Sequence, residues 1–100
     1  MLELQEDNLS QIVSDNDKVF AMFGASWCGM CKMTKPKVKR LSNENEGIQF
    51  VYVDAENFVE SRDLGGKLSN LPSFAAYVNG EVVFKQEGPK SVEVALSHLK

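Results

Sequence analysis

The run Lys18-Val19-Phe20-Ala21-Met22-Phe23-Gly24 is short, almost wholly apolar and stops at a glycine. That pattern reads as a buried β-strand. Directly behind it, Ala25-Ser26-Trp27-Cys28-Gly29-Met30-Cys31-Lys32 holds the only two cysteines of the chain, three residues apart. From Cys28 to about Asn43 the pattern turns helical, with Met33, Val38 and Leu41 apolar between lysines. The cysteine pair therefore falls where a strand feeds a helix, in the first helical turn.

The rest of the chain repeats this alternation. Leu2 to Gln5 forms a short first strand, and Asp7-Asn8 supplies a cap for a helix with Leu9, Ile12 and Val13 on one face. Pro36 removes one backbone donor inside the long helix and is expected to kink it. Gly47 ends that segment, and Ile48 to Val53 is the next strand. Phe58 to Leu68 reads as a helix interrupted at Gly65-Gly66. Ser73 to Val78 and Val82 to Gln86 flank Asn79-Gly80, a strong two-residue hairpin signal. Gly88-Pro89 breaks the run, and Ser91 caps a last helix carrying Val92, Ala95, Leu96 and Leu99 on one face. The order β-α-β-α-β-α, then a hairpin and a helix, implies an α/β fold: a mainly parallel sheet with helices on both faces and antiparallel strands at one side.

One hundred residues, 43% of them apolar, suit a single domain over residues 1–100 with one core. No run approaches the roughly 20 apolar residues of a membrane span, so no membrane partner is expected. The formal charge of −3 argues against a general nucleic-acid surface. The acidic start, Met1 to Asp7, lacks the basic and apolar stretches of a secretory signal, and a cytoplasmic location is expected. Cysteines this close make a poor structural staple, because a short loop gives little closure entropy and a reducing cytosol would open it. The pair looks chemical rather than architectural.

Thiolate, not thiol, attacks a disulfide, and a free cysteine is only ~3% thiolate at pH 7. At a helix N-terminus Cys28 would meet unpaired N–H groups and the positive dipole end, together on the order of 1–2 kcal/mol or about one pKa unit. Intrinsic nucleophilicity falls with the same shift, so the net gain is only a few-fold. Positioning, and a fast second step by Cys31 from within the same molecule, must supply most of the rate. Cys28 is thus assigned as nucleophile and Cys31 as resolver. Two reduced core cysteines are the structural alternative at this point.

Taken together, these elements resemble the thioredoxin family over nearly the whole chain. Trp27-Cys28-Gly29-Met30-Cys31-Lys32 is similar to that family's active-site motif, Pro36 to its helix kink, and Leu71-Pro72-Ser73-Phe74 to its segment with a cis proline against the sulfurs. Asn79-Gly80 and Gly88 match its hairpin turn and a later glycine. The resemblance implies the thioredoxin fold, a central mixed sheet flanked by helices on both faces. It implies a protein-disulfide reductase and electron carrier, monomeric, with no bound cofactor beyond the Cys28–Cys31 disulfide. Its partners would be disulfide-containing proteins and a thioredoxin reductase. Trp27, Leu71, Pro72 and Gly88 would bind substrate, and Gly29, Met30 and Lys32 would support the site.

Three departures bear on mechanism. Met30 stands where most members carry proline, leaving the reduced loop freer and adding an oxidisable thioether. Met22 stands where many carry a buried aspartate, and Ile48 to Val53 contains no lysine to partner one. Losing both is coherent, since one buried charge without the other is costly. Cys31 must then lose its proton to water or to a substrate group. Lys32, Lys35 and Lys39 read as a solvated helix face, His98 as a surface residue, Met22 and Met33 as core, and Asp54 as a turn residue. Two other functions compete with reduction: a binding subunit or redox-responsive adaptor of a larger enzyme, and a metal site bridging two chains, since two cysteines supply half of a four-thiolate set.

Overall fold

The computed structural model describes residues 1–100. The elements are β1 (Leu2–Glu3), α1 (Leu9–Asp15), β2 (Lys18–Gly24), α2 (Gly29–Glu44), β3 (Gln49–Asp54), α3 (Val59–Arg62), β4 (Ser73–Val78), β5 (Glu81–Glu87) and α4 (Ser91–Ser97). They build one five-stranded mixed sheet in the order β1-β3-β2-β4-β5. β3 pairs parallel with both β1 and β2, while β4 pairs antiparallel with β2 and β5.

β2 is central, which explains its unbroken apolar sequence. Successive side chains point to opposite faces of a strand. Phe20 and Met22 enter one core with Val38 of α2 and with Val92, Ala95 and Leu96 of α4. Val19, Ala21 and Phe23 enter the other with Leu9 and Val13 of α1. Both faces of the sheet are therefore covered. Phe20 stacks on Phe50 of β3 with ring centroids 4.7 Å apart, and Phe74 tilts against it at 5.9 Å.

The hairpin follows its turn chemistry. Asn79 (φ 52°) and Gly80 (φ 86°) both occupy the left-handed region, as a tight primed turn requires. Val83 is the extra residue of a bulge in β5, between the pairs Ala76–Phe84 and Tyr77–Val82.

Four local expectations are corrected. α3 is a single turn that ends at Arg62, before the expected interruption at Gly65-Gly66, and no helix resumes toward Leu68. A Cβ on Gly66 would lie 2.9 Å from Phe23 ring atoms, and one on Gly65 2.8 Å from Ala75 Cβ, so close backbone approach to β2 and β4 replaces the helix. Asn8 makes no side-chain cap on α1. Instead the Leu9 N–H donates to Ser61 Oγ (3.0 Å), while the Glu60 and Ser61 N–H groups donate to the Asp7 carboxylate (3.1 and 2.7 Å). Ser91 is the first residue of α4 rather than its cap, and its hydroxyl donates to the Glu87 carbonyl. Met33 is not core. It is 75% exposed, because the inward positions of α2 are Cys31, Thr34 and Val38.

Candidate active site

The reactive pair stands where β2 hands over to α2. Cys28 is the N-cap of α2, in extended conformation, and its Sγ accepts the Cys31 N–H at 3.2 Å. An N-cap side chain normally offers an oxygen to this donor; here a sulfur takes its place. The 16-residue helix thus aims an unpaired amide and its positive end at that sulfur. Cys28 and Cys31 are joined as a disulfide with Cα atoms 5.3 Å apart, a separation typical of such bonds. Cys28 is 7% exposed and Cys31 1%. Both belong to the core cluster that includes Met22 and Phe74. Cys28 is thus the more accessible of the two, though it too is largely buried.

Around the pair lies an apolar surface open to solvent. Trp27 is 57% exposed and Met30 46%. The Trp27 indole N–H donates to Glu56 Oε2 at 3.0 Å. Glu56 sits in a turn organised by Asp54, whose Oδ1 accepts the backbone N–H of Glu56 and Asn57 and whose Oδ2 accepts the Asn57 side chain. Asp54 is therefore a turn residue, as its position suggested. Sequence reasoning missed Glu56, because nothing local ties it to a tryptophan 29 residues earlier.

The segment before β4 packs Leu71 against the core cluster that holds the pair. The Leu71–Pro72 bond is cis, and the Pro72 carbonyl accepts the Gly88 N–H at 2.8 Å. Gly88 has φ 94°, and a Cβ there would meet nothing within 4 Å, so its backbone conformation rather than crowding calls for glycine. Pro72 and Gly88, 16 positions apart in sequence, are thus brought together. Leu71, half-buried beside them, contributes no backbone hydrogen bond among those of the turns and loops.

Behind the pair an apolar core adjoins a cleft that carries charged residues. Met22 is fully buried, opposite Tyr52 on β3 and Phe74 on β4. An open cleft of about 470 Å³ reaches Cys31 between α2 and the β1–β3 edge. Lys35 is not a freely solvated lysine: its Nζ donates to Glu3 Oε1 at 2.9 Å and lies 3.9 Å from the centre of the Tyr52 ring. Burial, followed by the charges of Asp54 and Glu3, pushes the Tyr52 hydroxyl above its ordinary pKa. On the other face Tyr77 donates to the Leu64 carbonyl at 2.9 Å, and burial raises its pKa as well. His98 is exposed, with its Nδ1 2.9 Å from the Val94 carbonyl. No group of three or more His, Cys, Asp or Glu side chains converges, and no helix is long and apolar enough to cross a membrane.

Comparison with known proteins agrees with this geometry. The thioredoxin family model matches residues 1–100. The chain is 33% identical to a Streptomyces coelicolor protein described as thioredoxin 2, over 87% of this chain and 64% of that one, just under two thirds of its length. It is also 33% identical to thioredoxin-1 of Schizosaccharomyces pombe, over 86% of this chain and 82% of the relative. Fasciola hepatica thioredoxin superimposes with a TM-score of 0.81 at 25% identity, covering 100% of both chains. With its pair joined at the start of α2, the chain belongs to the thioredoxin family of thiol–disulfide oxidoreductases.

Proposed function

We propose that this protein reduces disulfides in other proteins, with Cys28 as the attacking thiol and Cys31 as the resolving one. The observation that carries the assignment is the Cys31 N–H directed at Cys28 Sγ from the first turn of α2. That donor and the helix end favour negative charge on Cys28, while Cys31 lies one turn deeper. The Cys28 thiolate attacks one sulfur of a target disulfide and expels the other as thiolate, leaving a mixed disulfide. Cys31 then loses its proton and attacks Cys28 Sγ. The second target thiolate departs, and the pair is left as the disulfide. Two electrons pass to the target, and a two-electron donor must return the pair to the dithiol.

Trp27, Leu71, Pro72 and Gly88 form the surface on which an extended target segment docks. The exposed indole and Met30 supply apolar contact, and the free Leu71 backbone supplies a short β-like pairing. Gly29 and Met30 support the pair as the first residues of α2, and Lys32 follows it. No bound cofactor is needed, since the Cys28–Cys31 pair is itself the redox group. A thioredoxin reductase is the donor that the family implies, and the protein acts as a monomeric electron carrier. A reducing compartment such as the cytosol suits this direction of flow.

Insulin reduction with and without a thioredoxin reductase tests the activity. The roles are tested by trapping. Cys31→Ser accumulates mixed disulfides with target proteins, whereas Cys28→Ser accumulates few. Equal trapping by both variants contradicts the assignment.

A further inference from the structure

Cys31 is 1% exposed and packed among apolar side chains, an environment that raises the proton affinity of a thiol. The resolving step nevertheless requires its thiolate. The buried residues clustered with Cys31, Met22 and Phe74 among them, carry no charge. The cleft behind Cys31 is lined by the charged and titratable groups Glu3 from β1, Lys32 and Lys35 from α2, and Tyr52 and Asp54 from β3. The Asp54 oxygens are committed to the turn at Glu56 and Asn57. Lys32 is exposed. Lys35 differs from both. It stands one turn beyond Cys31 on the same helix face, and its ammonium is fixed twice, by Glu3 and by the Tyr52 ring.

We propose that Lys35 is the electrostatic positioning group of the resolving step: its ammonium, held at the back cleft, lowers the proton affinity of Cys31, and Glu3 both anchors that charge and limits its effect. The proposal rests on the reading of Cys31 as the resolving thiol. In the step itself the Cys31 S–H bond breaks and its proton leaves through the cleft to solvent. The new Cys31–Cys28 bond forms as the Cys28–target bond breaks, and the target departs as thiolate. Lys35 keeps its own proton throughout and acts only by its charge.

The test uses the Cys28→Ser protein, in which Cys31 is the only thiol, and titrates it by the ultraviolet absorbance of the thiolate. Adding Lys35→Met raises the titration midpoint by roughly half to one pH unit, and adding Glu3→Gln lowers it by roughly several tenths. Lys35→Arg, which keeps the charge, leaves it in place. Lys35→Gln serves as a second neutral variant and moves it in the same direction as Lys35→Met. Both Lys35→Met and Glu3→Gln break the same ion pair, so a purely structural role moves the midpoint one way in both. Opposite signs support the proposal, and any other pattern overturns it. The titration needs no exchange partner, so its failure leaves disulfide reduction standing, which insulin reduction by the unmodified protein tests separately.

Discussion

Trp27 and Glu56 are joined by a 3.0 Å hydrogen bond from the indole N–H to a carboxylate oxygen, which ties the residue before the reactive thiol to the turn after β3. Trp27 is the only tryptophan, so the tryptophan emission of the chain comes from this ring alone. Glu56→Ala is expected to free the indole. The fluorescence anisotropy of Trp27 falls, and kcat/KM for a protein disulfide drops about two- to threefold, the worth of one exposed hydrogen bond. Unchanged anisotropy would show that Glu56 does not hold the ring.

Met22→Asp places a carboxyl on a fully buried position facing Phe74 and Tyr52. With no lysine on β3 to partner it, the oxidised protein should lose on the order of 3 kcal/mol. The same desolvation raises the pKa of the new carboxyl, so that it is partly protonated at neutral pH. Resolution of a mixed disulfide by Cys31 can still accelerate, because the carboxylate fraction is able to accept a proton. Denaturant melts beside stopped-flow reduction across pH measure the two effects separately. An undiminished melt in the variant refutes the buried placement.

Gly66→Ala drives a methyl group to within 2.9 Å of the Phe23 ring and 3.0 Å of its Cβ. Those atoms sit close to the β2 backbone and have little room to yield, so the expected cost is roughly 1–3 kcal/mol. Gly47→Ala, where a Cβ meets nothing within 4 Å, is the control and changes stability little. Equal melts for both variants would remove close approach as the reason for glycine at position 66.

Asp7 provides a prediction about acid. Hydrogen bonds from Ser61 and Glu60 lower its carboxyl below the ordinary value of 3.8, against a smaller opposing effect of burial. A carboxylate with a depressed folded-state pKa contributes stability that is fully present above the unfolded value and is lost as pH falls through the folded one. Asp7→Asn should therefore be less stable than the unmodified protein at neutral pH, with the gap closing as pH drops below 3.8. A gap that is constant with pH would assign the loss to packing rather than charge.

The parts of the fold legible in the sequence were those whose causes are local. β2 announces itself by an apolar run that both faces of the sheet must bury, and the β4–β5 turn by Asn79-Gly80. The pair at the start of α2 is legible for the same reason, since three residues settle its geometry. What escaped depends on residues far apart. The reciprocal bonds among Asp7, Leu9, Glu60 and Ser61 span more than fifty positions, so no local pattern signals them. α3 stops at Arg62, and the glycines that follow it lie against Phe23 and Ala75, neighbours that no local pattern signals. Lys35 reads in sequence as one more solvated lysine, because Glu3, which holds it, lies 32 positions away. Met33 reads as apolar periodicity, but Thr34 takes the inward place, its hydroxyl satisfied by the Met30 carbonyl.

The sulfur pair hangs from the end of β2, the middle strand of the five, with side chains in both cores. Edge strands and termini open at little cost, whereas a central strand separates only when the whole domain does. Fraying of β1 or β5 can thus leave the pair in place, while loss of β2 from the sheet removes the pair's support. For this chain the part of the exchange rate that exceeds that of free thiols should therefore disappear together with the fold.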